Sequence, residues 1–180
     1  MNLLLAGSLL TAMACNNPQN NEQNEGHSTK STALSLDSAS FNQEIDGQKA
    51  SLYTLKNSSG AVAYLTDFGA RLVGLLVPDQ NGELTDVVLG FNKAADYNNT
   101  DEPYFGPVVG PFGNRIAGGK FTLEGETFTL PVNNGPNTLH GGLKGVHFAH
   151  WTATNLSDNS VSFAYTLPDG SDGFPGPIHM

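Results

Sequence analysis

Apolar residues from Ala39 onward occur in short runs, alternating or β-branched, that are broken by Gly, Asn, Asp and Pro. No stretch keeps an apolar period of 3.6 residues for long, so the pattern predicts strands rather than long helices. The predicted strands are 51–55, 61–65, 70–77 and 85–89, and the predicted hairpins pair 120–123 with 127–130 and 151–154 with 161–165. A short helix is considered near 93–96. This all-β pattern favours a large antiparallel β-sandwich.

The N-terminus has the pattern of an export signal. Residues 3–14 form an apolar run that is shorter than the roughly 20 residues of a membrane span but typical of a signal sequence. The run ends at Cys15, the only cysteine, after the small residues Ala12 and Ala14, and so resembles a bacterial lipoprotein signal with Cys15 as the lipidation site. Ala12 stands where such signals favour Leu, and no Lys or Arg precedes the run. The alternative is a buried structural cysteine.

The rest of the chain divides into a tether and one domain. Residues 16–32 are rich in Asn, Gln, Ser, Thr and Glu, a composition that predicts a disordered tether. Residues 33–180 are enough for one domain with a core. The net charge of −9 argues against a nucleic-acid partner. We expect a cell-envelope location in which the membrane is contacted only through a lipid anchor.

Two glycine-rich segments, 110–117 and 133–142, carry the candidate chemistry. Arg115, one of only two arginines, lies in the first segment, and its planar set of donors suits sugar hydroxyls. His140 lies in the second, where an imidazole can donate or accept a hydrogen bond at neutral pH. Glycines allow a backbone to come close to a ligand. The segments therefore predict a polar, non-metal site for a small molecule.

These segments resemble the aldose 1-epimerase (galactose mutarotase) family, in which an Asn-Arg-Ile and a Leu-His-Gly-Gly segment line the sugar pocket. The resemblance implies that Asn114, Arg115 and His140 contact the sugar. It also implies an extended β-sandwich with a pocket on one sheet face. The resemblance continues to the C-terminus, where we expect the domain to be truncated. Further motifs follow in the order of the family, at 67–71, 77–79, 86–91, 104–106, 119–121, 168–170 and 173–176.

The resemblance implies an isomerase that interconverts the α and β anomers of aldohexoses such as glucose or galactose. Opening the ring needs an acid, a base and a pocket that holds the sugar between them, but no metal or redox cofactor. In the family the acid is a histidine and the base a glutamate, each in a later segment than any present here. We therefore expect no catalytic residue within this chain, which could be inactive as a fragment. His179 is a weak substitute acid, because the Asn-His-aromatic surroundings of the family are missing.

Other interpretations stay open. A non-catalytic sugar-binding lipoprotein would keep Arg115 and His140 without an acid/base pair, whereas a sugar-phosphate enzyme would need more cations than this chain has. Some exported relatives are described as calcium-dependent, but no Asp-rich, Gly-centred Ca²⁺ loop is present, so Ca²⁺ is a weak prospect. We expect a monomer.

For several other polar and aromatic residues we expect a structural role. His147 and His150 are three residues apart, but on a strand or loop this spacing does not converge on a metal, so both are expected at the surface. Glu124 and Glu126 are expected at a solvated hairpin tip. Asp67, Asp79 and Asp86 are expected in turns or at the surface. Trp151 is expected in the core, with stacking on a sugar face as the alternative, and the same two alternatives apply to Tyr104 and Phe105.

Overall fold

A computed structural model describes residues 36–98 and 101–180 of the 180-residue chain. One short α-helix, α1 (Ser38–Phe41), opens this part, and 3₁₀ turns lie at Ala94–Tyr97, Ala117–Gly119, Val146–Phe148 and Ser171–Gly173. The described strands are β1 (Glu44–Ile45), β2 (Gln48–Lys49), β3 (Leu52–Lys56), β4 (Val62–Thr66), β5 (Arg71–Pro78), β6 (Leu84–Asp86), β7 (Arg115–Ile116), β8 (Lys120–Leu123), β9 (Glu126–Thr129), β10 (Thr138–Leu139), β11 (Thr152–Thr154), β12 (Ser162–Ala164), β13 (Thr166–Leu167) and β14 (Ile178–His179). The all-β prediction is therefore confirmed.

Strands β3 to β6 form a four-stranded antiparallel sheet in chain order. Asn57 shapes the turn between β3 and β4, because its Oδ1 accepts the N–H groups of Ser59 and Ala61 at 3.0 and 2.9 Å. The Asp79 carboxylate does the same between β5 and β6, where it accepts two main-chain N–H groups. Side-chain oxygens that reach nearby N–H groups favour turns. The turn role predicted for Asp79 is confirmed.

Strand β6 is shorter than the predicted strand 85–89, because the ladder ends at Asp86. Oδ1 of Asp86 accepts the N–H groups of Leu75 and Val88 at 2.9 and 3.1 Å. The carboxylate therefore serves as an acceptor for both chain segments where the ladder stops. Val87 and Leu89, which the prediction placed in the strand, are 59% and 75% exposed.

The other described strands form two-stranded antiparallel ribbons: β1 with β2, β7 with β10, β8 with β9, β11 with β12, and β13 with β14. Two of these, β8–β9 and β11–β12, confirm the predicted hairpins. Glu124 lies at the exposed tip of the first with a φ of 54°, and Glu126 is also exposed. The hairpin-tip prediction is confirmed for Glu124, whereas Glu126 is the first residue of β9 and pairs with Leu123.

Two apolar clusters form the core of the described part. Each large apolar side chain that leaves water contributes roughly 1.5–3 kcal/mol. Trp151 is buried as predicted, and its indole N–H donates to the carbonyl of Val146 at 3.0 Å. The first cluster consists of Leu36, Phe41, Ile45, Ala50, Phe68, Val73, Ala94 and Tyr97, and the second of Ile116, Leu130, Val146, Trp151, Leu167 and Phe174.

Asp67 lies in a turn, which confirms one of the two predicted alternatives, and it is buried rather than at the surface. Its two carboxylate oxygens accept the N–H of Ser51 at 2.8 Å and the hydroxyl of Tyr53 at 3.1 Å. Hydrogen bonds of this kind replace the water that a carboxylate loses on burial. Asp67 thereby ties the beginning of β3 to the segment after β4.

The predicted signal segment 1–15 with Cys15 and the predicted tether 16–32 concern residues outside the described ranges, so both stay predictions. All described residues belong to one compact unit, 31–180. In residues 36–98 and 101–180, no helix combines the length and the apolar character needed to cross a bilayer.

Candidate functional site

The β7–β10 ribbon brings the two glycine-rich segments together. Arg115 on β7 lies opposite Leu139 on β10, and the N–H of His140 donates to the carbonyl of Asn114 at 3.0 Å. Asn114, Arg115 and His140 therefore lie side by side at one end of this ribbon. The sequence motifs predict one site for these residues, and the fold makes them neighbours.

His140 is held in one tautomer. The main-chain N–H of Asn114 donates to Nδ1 of the imidazole at 3.0 Å. Because an N–H can only donate, Nδ1 must be unprotonated, and the ring proton of the neutral imidazole must be on Nε2. Burial and, secondarily, the Arg115 guanidinium lower the pKa of His140 below its usual value of 6.5. At neutral pH the ring therefore offers an Nε2–H donor.

Arg115 is held by two amide side chains. Its Nε donates to Oδ1 of Asn134 at 2.9 Å, and one terminal nitrogen donates to Oδ1 of Asn114 at 3.2 Å. The side chain is exposed, so its other N–H groups can reach a ligand. The sequence motif gives Asn134 no role, and only the fold shows that it orients the guanidinium.

Tyr104 forms an aromatic wall beside His140. Its ring centroid lies 4.7 Å from that of His140 and 5.0 Å from that of His147. Burial raises the pKa of the Tyr104 hydroxyl, and the nearby Arg115 partly opposes this effect. Tyr104 therefore lies between two imidazoles at the edge of the cluster, which the sequence could not distinguish from a place in the core.

Asn133 holds the second glycine-rich segment, a role that sequence reasoning missed. Its side-chain nitrogen donates to the carbonyls of Leu139 and Gly142, each at 3.0 Å, and its oxygen accepts the N–H of Leu139 at 2.6 Å. One amide side chain thus fixes both sides of His140. The signal in the sequence was the Asn133-Asn134 pair at the start of the motif, because Asn side chains often bond to nearby main chain.

The surface position predicted for His147 is wrong. His147 is 1% exposed, and burial lowers its pKa to about 4, with smaller contributions from Arg71 and His140. His150 is half-buried: its Nε2 is 3.0 Å from the carbonyl of Ile45, and its ring packs against Phe68. Long-range packing, which residue type and spacing do not encode, places both rings.

His179 makes contacts that differ from those of the cluster. Its Nδ1 lies 2.9 Å from the hydroxyl of Thr166, and its side chain lines a cavity with His150 and Tyr165.

As for metals, residues 36–98 and 101–180 contain no group of three or more His, Cys, Asp or Glu side chains arranged to hold an ion.

Known proteins resemble this chain in sequence. Residues 51–180 match the family model described as Aldose 1-epimerase. The chain is 46% identical over 116 residues to the galactose mutarotase of Bos taurus, in an alignment that covers 64% of this chain and 33% of that protein. It is 38% identical over 133 residues to the aldose 1-epimerase of Escherichia coli K12, covering 74% of this chain and 38% of that protein. The chain thus spans about a third of the length of these relatives.

Solved structures resemble it in fold. A GalM/aldose epimerase homologue from C. elegans matches with a TM-score of 0.66 and 35% identity, over 71% of this chain and 39% of that one. The galactose 1-epimerase of Lactobacillus acidophilus NCFM matches with a TM-score of 0.65 and 26% identity, over 76% and 40%. These likenesses confirm the predicted fold class, a galactose mutarotase-like antiparallel architecture.

Proposed function

Because this chain belongs to the aldose 1-epimerase family, we propose that its protein interconverts the α and β anomers of an aldohexose such as glucose or galactose. The site at Asn114, Arg115 and His140 would hold the sugar. In this reaction the C1 hydroxyl loses a proton, the ring oxygen gains one, and the open aldehyde turns before the ring closes again. The proposal needs sugar-oxygen partners at the site and an acid and a base beside it.

The fixed tautomer of His140 is the observation that supports this proposal most strongly. With Nδ1 occupied by the N–H of Asn114, the neutral ring can only donate through Nε2. The guanidinium of Arg115 likewise only donates. Two neighbouring donors suit the hydroxyl and ring oxygens of a sugar, and they would stabilise negative charge that develops on an oxygen when the ring opens.

The acid and the base must come from other residues. A neutral imidazole that already accepts a hydrogen bond is not free to remove the C1 proton, and an arginine keeps its protons at neutral pH. His179 is hydrogen-bonded to Thr166 and is a poor substitute. We therefore keep the expectation that the family's catalytic histidine and glutamate belong to segments other than those described.

Polarimetry tests the function. Freshly dissolved α-D-glucose and α-D-galactose are followed with a protein that joins this chain to the remaining segments of the family, called here the full-length protein, and, separately, with this chain, against the uncatalysed drift. We expect acceleration by the full-length protein alone. A full-length protein that binds hexose in calorimetry without accelerating the drift would instead support the sugar-binding lipoprotein. Acceleration by this chain would show that it contains a working acid and base.

A cell-envelope location of the protein is also part of the proposal. The apolar run 3–14 followed by Cys15 supports lipidation of the cysteine thiol and attachment to the cell envelope. Labelled palmitate should be incorporated by the wild-type chain in a bacterial host and not by Cys15→Ser. Labelling of both or of neither would contradict the lipoprotein assignment.

A further inference from the structure

Arg71 is a buried arginine at the beginning of β5 with no exposed surface. One terminal nitrogen donates to the carbonyls of Pro103 and Phe105 at 2.9 and 2.7 Å, and the other donates to the carbonyl of His147 at 3.1 Å. The guanidinium carbon also lies 4.3 Å from the centroid of the Tyr97 ring. These contacts replace the water around the two terminal nitrogens with carbonyl dipoles and an aromatic face, whereas the buried Nε has no hydrogen-bond partner in the described part of the chain.

The three carbonyls identify what Arg71 holds. Pro103 and Phe105 are the two neighbours of Tyr104, so the cation fixes the main chain on both sides of that residue. The third carbonyl belongs to His147, the other ring against Tyr104. One side chain thus joins two segments that are 32 to 76 residues away from it in sequence.

The rings continue the connection to the site. Tyr104 lies between the imidazoles of His147 and His140, at 5.0 and 4.7 Å between centroids. His147 is 1% exposed, and its Nδ1 is buried and has no hydrogen-bond partner in the described part of the chain. A buried nitrogen without a partner makes no stabilising hydrogen bond and costs the free energy of leaving water. The ring therefore acts by packing, as the back support of Tyr104.

We propose that Arg71 is a positioning residue for the ligand site: through the main chain on either side of Tyr104 and the carbonyl of His147 it sets the place of the Tyr104 ring, and that ring holds the imidazole of His140. The proposal extends the proposed function, since it assumes that His140 meets the sugar. The structural part of the proposal, that Arg71 and Tyr104 control His140, holds or fails independently of catalysis.

Lysine cannot replace arginine in this role. A lysine ammonium keeps the charge, but it is a compact group on a flexible stem. It lacks the planar pair of terminal nitrogens with which arginine donates to two carbonyls on one side and to the third on the other. Arg71→Lys should therefore loosen the two segments while retaining a cation. Tyr104→Leu removes the ring itself and leaves Arg71 in place, so it tests the second step separately and remains informative if Arg71→Lys does not fold.

Nitrogen NMR of the His140 ring in this chain is the first test, with the signal assigned by its loss in His140→Gln. The groups that face this imidazole are Arg115, Tyr104, His147 and the N–H of Asn114. In the wild type we expect an Nε2–H tautomer and a pKa below that of a free histidine. In Arg71→Lys and in Tyr104→Leu we expect averaged tautomers and a pKa closer to about 6.5.

The matched variants separate positioning from general loss of packing. Tyr104→Phe keeps the aromatic ring and should show the same His140 signals as the wild type. Tyr64→Leu removes another half-buried tyrosine ring, on β4, and should leave the His140 signals unchanged. Wild-type tautomer and pKa in a folded Tyr104→Leu or Arg71→Lys variant would overturn the proposal, as would an equal shift in Tyr64→Leu.

Rates in the full-length protein give the second test. If Arg71 acts through His140, Arg71→Lys should lower kcat/KM by about tenfold, and the double variant with His140→Gln should be no slower than His140→Gln alone. A kcat/KM of the double variant that falls by the product of the two single losses would contradict the proposal that Arg71 acts through His140. A wild type without any acceleration would refute the proposed function and leave the NMR result to decide the inference.

Discussion

At the scale of single residues, the chain places two neighbouring imidazoles in different environments. His140 is half-buried, with one nitrogen occupied by a main-chain N–H and the other left to donate. His147 is buried, and its pKa falls to about 4 because burial disfavours the charged ring. The first ring is suited to meet a ligand, and the second is suited to support the wall behind it.

The two donors of the site should matter for turnover. In the full-length protein we expect Arg115→Ala and His140→Ala each to slow mutarotation by roughly tenfold or more, the scale expected when the transition state loses one hydrogen bond. Polarimetry at saturating and limiting hexose separates kcat from KM. Lys144→Ala changes a nearby exposed cation and should retain the wild-type rate. Wild-type rates in both site variants would remove Arg115 and His140 from the site.

His147 should make the folded chain sensitive to acid. Its pKa is about 4 when folded and about 6.5 when unfolded, so between these values the unfolded state binds the extra proton. The free energy of unfolding is therefore unaffected by this residue above about pH 6.5. It falls as the pH decreases towards 4, by about 3 kcal/mol in total. Urea unfolding across this range measures it. His147→Phe should lose less stability over the same range, and equal pH slopes would contradict the assignment.

At the scale of elements, the site depends on a close approach between the two glycine-rich segments. A Cβ on Gly141 would overlap the carbonyl oxygen of Gly110 and would also meet Pro111 at 3.2 Å. The φ of Gly141 is +92°, which an L side chain rarely adopts. Glycine is therefore needed at this position for two independent reasons, and the residue beside it is His140.

Gly141→Ala should destabilise the chain by more than about 1 kcal/mol, because the backbone conformation is strained and the segments must separate. Thermal unfolding measures the change. Gly113→Ala, in the facing segment, is the matched control: a Cβ there meets nothing within 4 Å, so we expect a change within about 0.5 kcal/mol. A Gly141→Ala variant as stable as this control would show that the close approach is not needed.

At the scale of the whole molecule, one face of the second apolar cluster is open. A groove of about 400 Å³ runs along it, with Phe112 and Leu123 about half exposed at its rim. Open apolar surface of this kind favours association. The groove is lined by Pro111, Phe112, Ile116, Phe121, Leu123, Phe174, Pro175 and Ile178.

Contrary to the monomer expected from the sequence, this open groove predicts that the purified chain binds a hydrophobic dye and self-associates with rising concentration. Sedimentation velocity and dye fluorescence measure the two effects. Leu123→Glu, at the end of β8, places a charge at the rim and should reduce both, whereas Leu156→Glu, a similarly exposed position away from the groove lining, should not. A wild-type chain that stays monomeric and dye-free would contradict this account.

Much of the fold could be predicted because strands and turns follow local patterns. The β8–β9 and β11–β12 hairpins, the Asp79 turn and the buried Trp151 all appear where the order of apolar and turn residues placed them. The end of β6 could not be predicted, because it depends on hydrogen bonds that the Asp86 carboxylate accepts from Leu75 and Val88. A run of apolar residues does not reveal such a bond.

The sequence by itself determined the approximate positions of the longer strands, two hairpins, the family and the three residues of the candidate site, because each depends on neighbouring residues or on short motifs. Only the tertiary structure decided that Arg71 and His147 are buried and that Tyr104 stands between two imidazoles. These arrangements depend on contacts across tens of residues, such as the Arg71 bond to the carbonyl of His147. Burial of an apolar side chain such as Trp151 follows from its residue type, whereas burial of a charged or polar side chain depends on the partners that the packed chain brings to it.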